Sequence, residues 1–173
     1  MAEPAGIGAT APTLRRYKLA IIAPTPFYYQ VPLFQLLSDD PRIDLTVYFC
    51  SREALESRDL VILYDSTGQW GEDQLLQGYK HKFMKNFFPW GSYLRTPFGL
   101  ANLGIWRQLS REKPDAVVLM GWTNPTWWVA ILACLTSKIP FLYMNDANVQ
   151  AEIYGAWWKS IIKRMALGKI IFR

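Results

Sequence analysis

The sequence predicts an α/β fold, a Rossmann-like, doubly wound and mostly parallel sheet forming a single domain. Three observations predict it. Short apolar runs of strand length alternate with helical patterns. Two of those runs, at 18–23 and 116–120, are apolar almost throughout, as strands buried on both faces are. A length of 173 residues with 51% hydrophobic side chains suits one domain with a real core.

The elements follow in order. Residues 1–16 read as a disordered leader, rich in Ala, Pro and Gly as far as Thr13 and without the apolar run of a secretory signal. The domain proper is expected over 17–173. Residues 18–23 form the first strand, which Pro24 and Pro26 end. A helix follows with Pro32 in its first turn, where proline is tolerated. Leu33, Leu36 and Leu37 share its expected inner face, and Asp39, Asp40 and Pro41 stop it. Residues 44–50 alternate Leu45, Val47 and Phe49 with Thr46, Tyr48 and Cys50 and are rich in β-branched and aromatic types, so they form the second strand. Strand, helix and strand at this spacing imply a right-handed parallel unit.

The stretch 51–78 is the least regular. Residues 60–64 fit either a strand or a helical segment. Residues 79–84 read as a strand with Tyr79, His81 and Phe83 on one side, and 86–97 as a loop punctuated by Pro89, Gly91 and Pro97. A helix is expected over 99–112 with Leu103, Trp106 and Leu109 as its buried stripe. After the strand at 116–120, Asn124 is placed to cap a helix whose first residue is Pro125. The apolar run 127–144 approaches bilayer-spanning length. Ser137, Lys138, Ile139 and Pro140 interrupt it, so it reads as a buried helix, a tight turn and a buried strand at 141–144. A last amphipathic helix starts at Gly155 and ends near Gly168, with Trp158, Ile161, Ile162 and Met165 on one face.

Charge and cysteine content narrow the function. The net charge is +5, from 19 basic and 14 acidic residues. Lys159, Lys163, Arg164, Lys169 and Arg173 account for that whole excess, in a segment without an acid. A nucleic-acid footprint spreads over a face of the fold, so no nucleic acid is expected as a partner. Cys50 and Cys134 make no disulfide framework and read as small core residues of a reducing compartment. The first strand–helix loop, 24–30, contains no glycine, whereas a dinucleotide pyrophosphate needs glycines there. There is no phosphate-loop motif and no Gly-x-Ser-x-Gly elbow. One histidine and two distant cysteines give no zinc spacing, so no metal site is expected.

Several segments, in order, carry a resemblance. They are Pro26-Phe27-Tyr28-Tyr29-Gln30-Val31-Pro32-Leu33-Phe34; Asp44-Leu45-Thr46-Val47-Tyr48-Phe49-Cys50-Ser51; Leu75-Leu76-Gln77-Gly78-Tyr79-Lys80-His81-Lys82-Phe83; Pro114-Asp115-Ala116-Val117-Val118-Leu119-Met120-Gly121-Trp122; and Ile139-Pro140-Phe141. Together they resemble the N-terminal, acceptor-side domain of bacterial family 4 glycosyltransferases of the GT-B type, over Tyr17 to the C-terminus. The resemblance implies two Rossmann-like domains facing across a cleft. The N-terminal one receives the acceptor. The C-terminal one holds the nucleotide-sugar and most catalytic contacts, including a pair of glutamates. The sequence ends at Arg173, ahead of that donor domain. The resemblance therefore implies an acceptor-binding half, inactive alone, with no cofactor of its own and the nucleotide-sugar on the other domain. The implied reaction moves a sugar to a hydroxyl of a glycan or lipid-linked acceptor. The implied partners are that acceptor and a donor-domain subunit. The basic amphipathic tail adds an anionic membrane surface as a further expected partner, and with the reduced cysteines it places the chain in the cytoplasm, peripheral to the inner face of the membrane. The alternative class is a stand-alone, non-catalytic α/β binding module or subunit.

Ligands of doubly wound sheets bind outside the carboxyl ends of the strands, which selects the loops at 24–30, 121–124 and 145–148. Phe27, Tyr28, Tyr29 and Gln30 form either an acceptor platform or a packing surface. Gly121 and Trp122 serve close ligand approach or a plain turn. Asn145 and Asp146 orient or deprotonate an acceptor hydroxyl, or simply cap a turn. His81, the only histidine, is either a weak catalytic candidate or a half-exposed neutral ring. Trp157, Trp158, Lys159, Lys163 and Arg164 suit an anionic membrane surface, or a domain helix with solvated lysines.

Overall fold

A computed structural model describes residues 15–56, 71–88, 99–121 and 123–144. Five strands form one sheet in the order β3-β2-β1-β4-β5, every neighbouring pair parallel. They are β1 (Tyr17–Ala23), β2 (Ile43–Phe49), β3 (His81–Phe83), β4 (Ala116–Met120) and β5 (Phe141–Met144). The helices are α1 (Val31–Asp39), α2 (Glu53–Glu56), α3 (Glu72–Leu76), α4 (Gly104–Glu112) and α5 (Pro125–Ser137), with a 3-10 turn over Tyr28–Gln30. This is the Rossmann-like α/β domain that the strand–helix alternation predicts.

The apolar runs behave as doubly buried strands must. In β1 the neighbours Ile21 and Ile22 are 1% and 0% exposed, although they face opposite sides. Ile22 joins Tyr48, Ile105, Leu109, Trp127 and Leu119 in the core under α4 and α5. Ile21 joins Phe34, Val47, Phe49 and Tyr79 in the core under α1. Both cysteines are free and buried. Burial pushes the Cys134 thiol up to about 11 and Cys50 higher still, which leaves both unreactive at neutral pH.

Several expectations need correction. α4 begins at Gly104 rather than 99, because side chains from elsewhere bind the backbone of 100–102 and hold it out of a helix. Ile105 and Leu109 form its buried stripe. Leu103 and Trp106 are 50% and 39% exposed. In α1 the inner residues are Val31 and Phe34, with Leu37 partly buried beside them as expected, while Leu36 is 70% exposed. Phe34 turns inward because its ring meets Tyr79 and Phe49 edge-on, at centroid distances of 5.3 and 6.2 Å. β3 is shorter than 79–84, since only Val47 to Phe49 lie alongside it. Tyr79, His81 and Phe83 nevertheless line one side as expected, with neighbouring ring centroids 5.8 and 5.9 Å apart. β5 runs over the expected residues but is not buried throughout, because an edge strand has one neighbour and Leu142 is 65% exposed. α5 ends on Lys138 in the left-handed conformation, where the interrupting segment was expected to turn. Among the described residues no helix is long and apolar enough to cross a membrane. Residues 1–14 of the leader, the 60–64 segment and the basic helix from Gly155 lie outside the described residues, while Arg15 and Arg16, expected in the disordered leader, bond to Asp115 and to Ile43 O.

Charged pairs fasten the amino edge of the sheet. Lys80 meets Asp44 at 2.6 Å, and Lys82 meets Glu112 at 2.6 Å. Glu112 also accepts bonds from the Tyr48 hydroxyl and Gln108. Burial pushes the Glu112 carboxyl up, but the bonds from Lys82, Tyr48 and Gln108 together hold it below its ordinary value. The Lys80 bond lowers Asp44, and the Arg42 side-chain and backbone bonds hold Asp40 at about 2. All three carboxyls are depressed in the folded chain. Their stabilising contribution is therefore complete above the unfolded carboxyl range, about 4, and is lost as pH falls through the folded values. Urea midpoints are expected to hold steady from neutral pH down to mildly acidic pH and then decline toward Asp40's value of about 2. A midpoint that is flat throughout the acid range would show that these contacts carry no stability.

Candidate functional site

The strand order reverses beside β1. The chain moves outward from β1 to β2 and β3, then crosses back to β4 and β5. In such sheets the crevice opens outside the carboxyl ends of the strands where that reversal occurs, here β1 and β4. The loops after them, Pro24 to Gln30 and Gly121 to Asn124, are two of the three that the sequence selects. The third, with Asn145 and Asp146, lies outside the described residues, as do Trp122, Trp157, Trp158, Lys159, Lys163 and Arg164.

The loop after β1 is pinned from below. The amides of Cys50 and Ser51 donate to Ala23 O and Pro24 O at 3.0 and 2.9 Å. Thr25, fully buried, accepts the Ala54 amide at the start of α2 on its Oγ1, at 3.0 Å. On this base the Tyr28–Gln30 turn presents a layered aromatic set. Phe27 is buried and stacks on Tyr29 at 5.5 Å, with planes 14° apart. Tyr28 meets Tyr29 edge-on at 5.8 Å. Tyr29 is 45% exposed, so one ring of the set stands open while the others hold it in place. Gln30 is buried beneath them and contributes to the wall, not to the surface.

The loop after β4 turns at Gly121, whose φ of +141° favours glycine. The space a Cβ would take is already filled. Trp127 Cε2, Cζ2 and Nε1 lie 2.7 to 2.8 Å from the ideal Cβ position. Gly121 therefore admits an indole of its own chain. The Trp127 side chain is buried, and its Nε1 has no hydrogen-bond partner among the described residues. Its N–H lies against the crevice loop at Gly121.

A polar clamp that the sequence reading missed joins this edge together. Asn102 Nδ2 donates to Cys50 O at 2.9 Å and Met84 O at 3.1 Å, so it bridges the ends of β2 and β3. The Thr126 hydroxyl lies 2.8 Å from Asn102 Oδ1 and 2.9 Å from Leu100 O, and it accepts the Asn102 amide at 2.9 Å. Asn124 is the residue before α5, but its Oδ1 accepts the Leu100 amide at 3.2 Å and makes no cap bond to the helix. Asn86 binds Gly99 O and the Ala101 amide, at 2.7 and 2.8 Å. The sequence carried no clear signal of it, since Asn102 falls inside the helix expected over 99–112 and Thr126 inside the one expected from Pro125.

Beyond β3 the same edge carries Phe87 and Phe88, packed edge-on at 5.2 Å, with Phe87 65% exposed. The Arg52 guanidinium lies 4.5 Å from the Phe83 ring centroid. His81 stands apart, at the start of β3 among Tyr79, Phe49 and Phe83, its Nδ1 3.4 Å from Tyr79 O. The structure places it in the aromatic layer under α1, not in either crevice loop. The described parts of the two crevice loops contain no carboxylate, histidine or lysine. Among the described residues no cluster of His, Cys, Asp and Glu is arranged to hold a metal. What these loops present is aromatic surface and hydrogen-bonding groups on a rigid base, which suits holding and orienting a ligand.

No known protein-family model matches the chain, and no curated protein matches it in sequence. The fold and the edge chemistry define a Rossmann-like α/β domain with an aromatic carboxyl edge.

Proposed function

We propose that the chain is the acceptor-binding domain of a glycosyltransferase, holding a glycan or lipid-linked acceptor at the carboxyl edge of the sheet. The observation that carries this reading is the stacked Phe27–Tyr29 pair beside the β1/β4 switch, with the Tyr29 ring open to solvent. Sugar rings have apolar C–H faces that lie against aromatic rings, and their hydroxyls need donors and acceptors nearby. The ordered segments that resemble family 4 glycosyltransferases point the same way. So does the glycine-free first loop, which offers a diphosphate no cradle of backbone amides. On this reading the domain orients the acceptor hydroxyl, and a second domain supplies the nucleotide-sugar. The basic segment with Trp157 and Trp158 then keeps the domain near an anionic membrane that carries the acceptor.

Saturation-transfer NMR on the full chain tests this, with a panel of oligosaccharides and water-soluble analogues of lipid-linked sugars alongside nucleotide-sugars. Acceptor-type compounds are expected to bind, with Tyr29→Ala weakening them about tenfold for the loss of one stacking contact. Nucleotide-sugar binding without acceptor binding would overturn the assignment, and so would acceptor binding that Tyr29→Ala leaves unchanged.

A further inference from the structure

A second polar site lies at the opposite, amino edge of the sheet. A cavity of about 260 Å³ opens between β1, β2 and the end of α4, and Lys18, Asp44, Thr46, Tyr48, Arg111 and Glu112 line it. The register sets its wall: Lys18 lies beside Asp44, Ala20 beside Thr46 and Ile22 beside Tyr48, on the side of the sheet that α4 covers.

The charges around the cavity do not cancel. Asp44 is paired with Lys80, and Glu112 with Lys82, Tyr48 and Gln108. Asp115, next in line, binds Arg15 and the Lys18 amide. Each nearby carboxylate thus has its own cationic partner. The Arg111 guanidinium has no acidic partner among the described residues, and the Lys18 ammonium forms no ion pair there, although its charge helps to lower the Asp44 carboxyl; both cations line the same cavity. The Thr46 hydroxyl, half-buried on the wall, has no hydrogen-bond partner among them either. Two cations outside any ion pair and a hydroxyl donor converge on a space that a small molecule fills.

We propose that this cavity binds a small phosphate-bearing anion through Lys18, Arg111 and Thr46. A guanidinium grips two phosphate oxygens at once, an ammonium adds a point charge, and a hydroxyl completes the donor set. The volume is below the span of typical ligand pockets, which starts at about 300 Å³. That size suits inorganic phosphate or a compact phosphate ester such as a hexose phosphate. The paired carboxylates Asp44 and Glu112 then serve as acceptors for the hydroxyls of an ester. This site is separate from the carboxyl edge, so the two assignments stand or fall independently.

Calorimetric titration of the full chain at low ionic strength tests the proposal, with inorganic phosphate in one arm and a hexose 6-phosphate in the other. Binding is expected in the micromolar to millimolar range. Lys18→Gln and Arg111→Gln should each weaken it about tenfold, and Thr46→Val severalfold. Lys85→Gln removes an exposed charge at the other edge and should leave it unchanged. Stronger binding of the ester assigns the site to a sugar phosphate, and equal binding assigns it to the free ion. Absence of binding in both arms overturns the proposal. So does a Lys18→Gln/Arg111→Gln double variant that keeps its native circular dichroism and its wild-type affinity.

Discussion

Replacing Gly121 with alanine is expected to lower the unfolding free energy by about 2–5 kcal/mol. Two separate costs combine. The first is local: a φ of +141° is a conformation that residues with a Cβ rarely adopt. The second is packing: the new methyl meets three indole atoms of Trp127 within 2.8 Å, well inside contact distance, and that ring is buried. A double-mutant cycle with Trp127→Leu separates them, because leucine lacks all three indole atoms that crowd the new methyl and leaves the backbone cost in place. The penalty should fall to about 1–3 kcal/mol in that background. Urea unfolding of the four proteins gives the numbers. Equal penalties in both backgrounds would remove the steric half of the argument. The same contact governs how binding data at this loop are read. A Gly121 variant that fails to bind acceptor has moved Trp127, and with it the N–H held against the crevice, so its defect is not proof that a ligand touches the glycine.

The parts of the fold written locally were legible in the sequence. The strands at 116–120 and 141–144 coincide with β4 and β5 because both are short apolar runs set off by proline or a charged turn. The end of α5 was legible for the same reason. What could not be read locally is which face of a helix turns inward. In α1 the leucine spacing pointed to Leu33, Leu36 and Leu37. The inward face is set by Phe34, which packs on Phe49, the last residue of β2, and on Tyr79, well beyond it in the chain. In α4 the trio Leu103, Trp106 and Leu109 has helical spacing, yet the first of them precedes the helix. Tertiary hydrogen bonds from Asn86, Asn124 and Thr126 claim the backbone of 100–102 and delay the helix start.

The candidate site divides in the same way. Its position follows from topology, since alternating strands and helices already put the loops at 24–30 and 121–124 at a carboxyl edge, and the strand order then brings both to the point of reversal. Its interior does not follow. Nothing in the sequence around Gln30 says that its side chain is buried while Tyr29 stands open, and Trp127, one turn into a helix, carries no local sign of its contact with Gly121. The cavity at the amino edge was equally hidden. Lys18, Thr46 and Arg111 come from three separated segments, and only the register of β1 on β2 and the docking of α4 make them neighbours.

Asn102→Ala is the second large effect, expected to cost about 2–4 kcal/mol. The side chain is fully buried, and its loss leaves the carbonyls of Cys50 and Met84 without their shared donor and the Thr126 hydroxyl without one of its two acceptors. Buried polar groups stripped of partners cost more than the net worth of the bonds that held them. Thr126→Val keeps the shape of the side chain but removes both the donor to Asn102 Oδ1 and Leu100 O and the acceptor of the Asn102 amide, and should cost about 1–3 kcal/mol. The double variant should fall short of the sum, since each single change already breaks the bond the two share. The site gives an independent readout. The Phe87 amide donates to Ala101 O at 2.9 Å, so the exposed Phe87–Phe88 pair is tied to the clamped segment by its backbone. In Asn102→Ala, hydrogen exchange at Phe87 should accelerate more than at the β1 amides, whose protection depends on global unfolding. Uniform acceleration across the sheet would mean that the clamp stabilises the domain as a whole. Acceleration confined to 84–88 and 99–103 would identify Asn102 as the residue that keeps the aromatic edge rigid, the property a surface needs if it is to orient a flexible acceptor.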